Sequence, residues 1–208
     1  MSHTVLPRGL YAVTDSQQSG ADLVRQVALA IQGGAVMIQY RDKSADAGRR
    51  LWEANDLQML CQSLRVPLLI NDDIELAVQC RASGVHLGKD DPGIEQARAV
   101  LGDAALIGVS CYSSLQRARD AQSAGADYVA FGSFFASPTK PAAERADPDL
   151  LRKARSELSI PIAAIGGITA ENGADLVAAG ADLLAVVSGV FSAADIRSAA
   201  RGYAQLFE

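Results

Sequence analysis

One unit recurs along this 208-residue chain. A short apolar run ends in a small or polar residue, and a stretch with helical spacing follows. The runs are Gly9–Asp15, Val36–Asp42, Pro67–Asp72, Gly84–Gly88, Leu106–Cys111, Tyr128–Phe134, Pro161–Gly167 and Leu183–Gly189. Continuous apolar runs of this length suit strands covered on both faces, as in a parallel sheet. Eight such strands alternating with helices predict a closed (β/α)8 TIM barrel, with residues 1–208 as one domain.

The intervening segments carry the helical pattern. Asp22–Ile31 places Leu23, Val27 and Ile31 at helical spacing. Ser44–Leu64 reads as a longer amphipathic helix with Leu51, Trp52 and Leu60 on its apolar side. Ile74–Val78 follows Asp73, an expected helix cap. Further helices are expected over Pro92–Val100, Ser114–Ser123, Pro148–Leu158, Ala170–Ala178 and Ala193–Phe207. An internal echo supports the repeat: Ala124-Gly125-Ala126-Asp127 precedes one apolar run and Ala179-Gly180-Ala181-Asp182 another, as Gly34-Ala35 precedes a third. Glycine there is expected to end each helix before the chain returns to the sheet. The longest stretch without a pattern is Phe135–Arg145.

Composition narrows the chemistry. A formal net charge of −5 argues against a general nucleic-acid surface, so any anion site must be local. No segment approaches about 18 consecutive apolar residues, so no membrane partner is expected. The N-terminus lacks the apolar core of a signal peptide, and Cys61, Cys80 and Cys111 have no CxxC spacing; both point to reduced thiols in the cytoplasm. His3 and His86 are the only histidines, which leaves no histidine-based zinc site and no Ser-His-Asp triad. His86, inside the fourth run, is read as a hydrogen-bonded barrel residue. Tyr11 and Tyr40 are read as packing or lining residues, and Arg117–Asp120 as a solvated helix face.

In a barrel of this class chemistry sits at the carboxyl ends of the strands. Those ends carry Gln39, Arg41, Lys43, Asn71, Asp72, Ser110, Gly166, Gly167 and Ser188. Alternation along the second run puts Gln39, Arg41 and Lys43 on one face and Tyr40 and Asp42 on the other. Two neighbouring cations are unfavourable unless an anion joins them, or unless each pairs with a surface carboxylate. Asp72 and Asp91 end adjacent strands and could share a divalent cation, since Mg2+ takes one or two carboxylates plus water and phosphate oxygens. The plainer reading makes these acids caps and turns. Ser137, Thr139 and Lys140 could bind phosphate or form an exposed turn. Gly166-Gly167 and Val187-Ser188-Gly189 close the seventh and eighth strands, where barrels most often hold phosphate on backbone N–H groups.

Taken together, LYAVTD, QYRDK, LLINDD, GVHLGKDD, IGVSC, FGSFFASPTKP, AIGGIT and AVVSGVF resemble the thiamine-phosphate synthase family, in the family's order and from about Gly9 to Phe191. The resemblance implies a transferase that joins the pyrimidine diphosphate and thiazole phosphate halves of thiamine phosphate and releases diphosphate. It implies that Gln39, Tyr40, Arg41, Asp42, Lys43, Asn71, Ser110 and Lys140 bind the pyrimidine diphosphate. Ser137, Pro138, Thr139, Gly167, Val187 and Ser188 would bind the thiazole phosphate, and Asp72 and Asp91 would hold Mg2+ as cofactor. Arg41, Lys43, Lys140 and Ser110 would be the catalytic set. The family more often has Gln-Glu-Asp where this chain has Lys89-Asp90-Asp91, threonine at the position of Ser137 and histidine at that of Tyr112. A homo-oligomer is left open.

The implied chemistry needs cations and a metal to hold the leaving diphosphate, and no protein nucleophile, which suits a chain poor in histidine. The competing readings are a thiazole tautomerase on the same barrel, a non-catalytic binder of a thiamine precursor, and a Schiff-base aldolase using Lys43 or Lys140. The paired acids beside Arg41 and Lys43 favour the synthase.

Overall fold

The computed structural model of the chain describes residues 6–136 and 145–208. Eight parallel strands close on themselves in sequence order, β1-β2-β3-β4-β5-β6-β7-β8. They are β1 Gly9–Val13, β2 Ala35–Tyr40, β3 Leu68–Asn71, β4 Gly84–Leu87, β5 Leu106–Tyr112, β6 Tyr128–Phe131, β7 Ile162–Ile165 and β8 Leu183–Val186. The helices are α1 Gly20–Gln32, α2 Ala47–Leu64, α3 Ile74–Cys80, α4 Ile94–Leu101, α5 Leu115–Ser123, α6 Asp149–Glu157, α7 Ala170–Ala178, α8 Ser188–Phe191 and α9 Ile196–Ala204. The expected (β/α)8 TIM barrel is therefore present. All the strands but β5 end before their apolar runs do, because the last residues of those runs leave the ladder to form the mouth.

Alternation along the strands builds two cores. Residues pointing outward, such as Leu10, Ile38, Ile70, Val85, Ile107 and Val129, pack under the helices. Residues pointing inward, such as Tyr11, Val13, Met37, Leu69, Tyr128, Ala163 and Leu183, fill the barrel. The interior mixes large and small side chains across facing strands. At Gly108 of β5 an added Cβ would meet the Tyr128 ring at 2.0 Å, so the missing side chain makes room for that ring.

The repeated Gly-Ala-Asp is a structural device at the amino-terminal end of the barrel. Gly125 and Gly180 take φ +91° and +115°, the conformation that lets a helix end and the chain turn back. The aspartate that follows ties down a neighbouring strand. Asp127 accepts from Ile107 N at 2.8 Å and from Arg98 at 2.8 Å. Asp182 accepts from Ile162 N at 3.0 Å and from Arg155 at 3.0 Å.

Two expectations need correction. The buried face of α2 is Glu53, Ala54, Leu57 and Cys61, while Trp52 is exposed. Glu53 can be buried because its carboxylate accepts from Tyr40 Oη at 2.6 Å and from Gly20 N at 2.7 Å. The last expected helix is present as α9, capped by Asp195 accepting from Ser198 N at 2.9 Å, but the eighth apolar run does not stay strand to Gly189: the unexpected short α8 starts at Ser188.

Candidate functional site

The carboxyl ends of the strands surround a cavity of about 530 Å³. Gln39, Arg41, Asn71, Ser110, Gly167, Val187 and Ser188 all line it. A second recess of about 550 Å³ adjoins at Asn71 and is lined by Lys43, Asp72 and Asp73 among others. Most of the expected site residues that the structure describes thus gather at one end of the barrel, in two compartments that share Asn71.

The run after β2 divides between compartments. Gln39 and Arg41 reach the main cavity. The Arg41 backbone N–H donates to Thr14 Oγ1 at 2.9 Å, and that of Lys43 to Ser16 Oγ at 3.0 Å, so the loop after β1 holds both cations in place. Tyr40 and Asp42 point the other way. The Tyr40 hydroxyl donates to Glu53 of α2. Burial, and the Glu53 carboxylate that accepts its hydrogen bond, push the Tyr40 phenol far above its usual range, so it keeps its proton. Asp42 accepts from Ser44 N at 2.8 Å and pairs with Arg49 at 2.5 Å. Burial opposes ionisation of Asp42, but the Ser44 hydrogen bonds and Arg49 outweigh it and hold the carboxyl below its usual range. The side chains of Tyr40 and Asp42 therefore support the loop and do not line the main cavity, while Asp42 borders the adjoining recess. The physical reason is the strand alternation itself.

Asn71, Asp72 and Asp91 form the acidic corner. Asp72 Oδ2 accepts from Lys43 Nζ at 2.7 Å and from Asn71 Nδ2 at 2.7 Å. Asp91 Oδ2 accepts from Gly88 N at 2.5 Å. The two carboxyl groups lie within hydrogen-bonding reach of each other. Burial raises the Asp72 carboxyl, but Lys43, Asp91 and Asn71 more than offset that and hold it below its usual range. Burial and the neighbouring Asp72 push Asp91 up. Asp72 also has φ +64°, a conformation uncommon for a side-chain-bearing residue, held by its N–H donating to His86 O at 2.9 Å. Among the described residues no group of three or more His, Cys, Asp or Glu side chains could hold a metal. Two hard carboxylates side by side, Asp72 bordering the second recess, are a pair that could take Mg2+, an ion that completes its shell with water and phosphate oxygens. Asp73 behaves as the cap expected of it, accepting from Leu76 N at 2.9 Å, and it also pairs with Arg50 at 2.8 Å.

The opposite wall comes from β7, β8 and the turns after them. Gly167 has φ +61°, and an added Cβ would meet Ala136 O at 2.3 Å. Its carbonyl accepts from Asn172 Nδ2 at 3.1 Å, and Asn172 also completes a reciprocal cap of α7 with Thr169. Val187 and Ser188 follow at the start of α8. Ser137, Pro138, Thr139 and Lys140 lie outside the described residues.

Several residues of this end were not singled out as site residues. Tyr11, His86, Tyr112, Lys89 and Ser133 line the cavity. His86 is indeed hydrogen-bonded, with Nδ1 at 2.8 Å from Tyr128 Oη and Nε2 at 2.8 Å from Ser110 Oγ. Arg117, read as part of a solvated face, instead donates to Ser110 O at 2.8 Å and Gly88 O at 2.9 Å, joining the ends of β5 and β4. Its position three residues after the cap Ser114 puts it on the inward turn of α5; a pattern dominated by charge conceals that.

Comparison with known proteins agrees with this geometry. A family model described as thiamine monophosphate synthase matches residues 10–190. The chain is 52% identical over 201 residues to the thiamine-phosphate synthase of Thiobacillus denitrificans, covering 97% of this chain and 95% of that one. It is 54% identical over 200 residues to the thiamine-phosphate synthase of Azoarcus sp. strain BH72, covering 96% and 97%. Among solved structures, thiamine phosphate pyrophosphorylase from Pyrococcus furiosus superposes with a TM-score of 0.86 at 32% identity, covering 95% of this chain and 94% of that one. (S)-3-O-geranylgeranylglyceryl phosphate synthase from Thermoplasma acidophilum, at 15% identity and a TM-score of 0.71, shares the fold.

Proposed function

The chain belongs to the thiamine monophosphate synthase family, and from that premise we propose that its cavity joins an aminopyrimidine methyl diphosphate to a thiazole phosphate, releasing diphosphate. The observation that carries the reading is the acidic corner: Asp72 and Asp91 side by side, with Lys43 on Asp72, opening beside a cavity large enough for two small substrates.

The difficult step is departure of diphosphate from the CH2 attached to the pyrimidine. Asp72 and Asp91 would hold Mg2+, which when bound supplies positive charge to the leaving oxygens. Lys43 and Arg41 add fixed cations on the same side; Arg41 presents a planar fork and Lys43 a point charge. Their backbones are anchored on Thr14 and Ser16, so little reorganisation is needed as the bond lengthens. Asn71 borders both compartments and is placed to orient the diphosphate between them. Ser110 lies across the cavity, and Gly167, Val187 and Ser188 form the wall proposed for the thiazole phosphate. The electron-rich aminopyrimidine carries the developing positive charge until the thiazole nitrogen attacks. Holding both partners together accounts for much of the rate.

The competing readings fare worse. A Schiff-base lysine must be desolvated and neutral, whereas Lys43 is exposed and ion-paired with Asp72. A tautomerase or a non-catalytic binder has no use for paired carboxylates facing a lysine. Among the described residues no helix is long and apolar enough to cross a membrane. All three cysteines are buried and unpaired, which supports a reducing cytoplasm as the site of action.

The test is direct. Purified protein given both halves and Mg2+ should form thiamine phosphate and diphosphate in equal amounts, and a chelator should stop the reaction. No product under those conditions would end the reading.

A further inference from the structure

A chain of hydrogen bonds crosses the barrel beneath the cavity and joins two residues of its opposite walls. Gln39 Nε2 donates to Tyr11 Oη at 2.5 Å. Tyr11 Oη lies 2.8 Å from Tyr128 Oη. Tyr128 Oη lies 2.8 Å from His86 Nδ1, and His86 Nε2 lies 2.8 Å from Ser110 Oγ. The members come from β2, β1, β6, β4 and β5. Both phenols are fully buried and their pKa values are raised by that burial, so both keep their protons.

Counting protons ties the sense of every bond in the chain to the orientation of the Gln39 amide. A phenol has one O–H, and a neutral imidazole has one N–H and one lone pair. Gln39 donates to Tyr11, so Tyr11 donates onward to Tyr128. Tyr128 then donates to His86 Nδ1, which leaves the imidazole proton on Nε2. That proton goes to Ser110 Oγ, and the Ser110 O–H turns to the cavity. At the other end the Gln39 Oε1 is left to accept. Reversing the Gln39 amide would reverse every bond, presenting an N–H2 at Gln39 and lone pairs at Ser110. Mixed arrangements leave two donors or two acceptors facing each other in a buried site, which is costly.

We propose that Tyr11, Tyr128 and His86 are positioning residues that lock Gln39 as an acceptor and Ser110 as a donor, so that these two cavity residues read the pyrimidine substrate as one unit. The inference rests on the substrate assignment above. In that frame Gln39 Oε1 accepts from the exocyclic amine, and Ser110 Oγ–H donates to an acceptor such as a diphosphate oxygen. A 4-oxo pyrimidine in place of the 4-amino one puts an acceptor against an acceptor. The site cannot adapt by turning the Gln39 amide, because the three other bonds of the chain would have to turn with it. Discrimination of this kind comes from the repulsive pairing as much as from the attractive one.

Two measurements test this, one without any substrate. In protein labelled with 15N at histidine, with His3→Ala removing the other signal, His86 should be in the Nε2–H form at a pH where its ring is neutral. Tyr128→Phe keeps the ring that Gly108 accommodates but deletes the hydroxyl, and it should bring in the Nδ1–H form. Tyr11→Phe breaks the chain one link earlier and serves if Tyr128→Phe does not fold. An Nδ1–H tautomer in the unsubstituted ring, or one unmoved by either substitution, overturns the proposal. The second measurement is calorimetric binding of the 4-amino and 4-oxo pyrimidine methyl diphosphates with Mg2+ and no thiazole phosphate. The amino form should bind at least about a hundredfold more tightly, and Tyr128→Phe should shrink that preference about tenfold or more. A support role alone would weaken both ligands alike and leave the ratio unchanged, which also overturns it. Failure of the parent protein to bind either diphosphate would refute the substrate assignment, and the tautomer would then decide the chain by itself.

Discussion

Gly167 and Ser188 share a wall of the cavity but act by different physics. Gly167 is needed for its backbone: at φ +61° with Ala136 O in the way, any side chain strains the turn and pushes the segment after β6. Gly167→Ala should therefore cost about 1–3 kcal/mol of stability in urea unfolding. Ser188 lines the cavity without carrying the fold. Ser188→Ala should leave the unfolding midpoint unchanged and raise the KM for thiazole phosphate about tenfold, near 1.4 kcal/mol. Steady-state kinetics beside urea titrations separate the two. Part of this scale was legible in the sequence. Strand alternation put Gln39 and Arg41 on one face, and the same rule turned Tyr40 and Asp42 to the other, toward Glu53 and Arg49 of α2. The Gln39–Ser110 chain was not legible, because it depends on which inward ring meets which across strands far apart in sequence. The gap at Gly108 beneath Tyr128 is visible only once the barrel is closed.

At the level of elements the barrel separates stability from chemistry. The aspartates of the repeated Gly-Ala-Asp sit at the amino-terminal end and bind strand N–H groups and arginines, far from the cavity. Asp127→Ala or Asp182→Ala leaves an arginine and a strand amide without that partner. Each should lower unfolding free energy by about 1–2 kcal/mol, discounted for partial solvent exposure. Coupling kinetics should stay within about twofold, because the mouth is untouched. A large change in kcat with unchanged stability would contradict the division. The repeat itself was readable as a turn signal; the partners of its aspartate were not, since they lie on other units. Helix faces were less readable. The buried side of α2 includes Glu53, which local hydropathy assigns to solvent and which Tyr40 and Gly20 draw inward. Four residues of α8 are too few to show a period beside the strand they follow.

For the whole molecule, eightfold repetition made the architecture readable, because each unit has the same need to cover both faces of its strand. Burial in the layer between sheet and helices also sets a pH response. It pushes the thiols of Cys61 and Cys111 up to about 12. Their ordinary value is 9.0, so the unfolded chain releases these protons first as pH rises. The stabilisation is complete below pH 9 and is lost between there and 12, at up to about 1.4 kcal/mol per pH unit for each thiol. The urea midpoint should thus fall between pH 8 and pH 10.5, and fall less in the Cys61→Ala, Cys111→Ala double variant. Equal slopes would remove the thiols as the cause. The central claim is narrower: Asp72 and Asp91 share one catalytic cation at the mouth of this barrel. Its most direct measurement is the initial rate of coupling across a Mg2+ titration, for the unsubstituted protein and for Asp72→Asn and Asp91→Asn. Both variants should fold normally and lose about a thousandfold or more in rate, beyond recovery by added Mg2+; near-normal coupling by either one would contradict the shared metal.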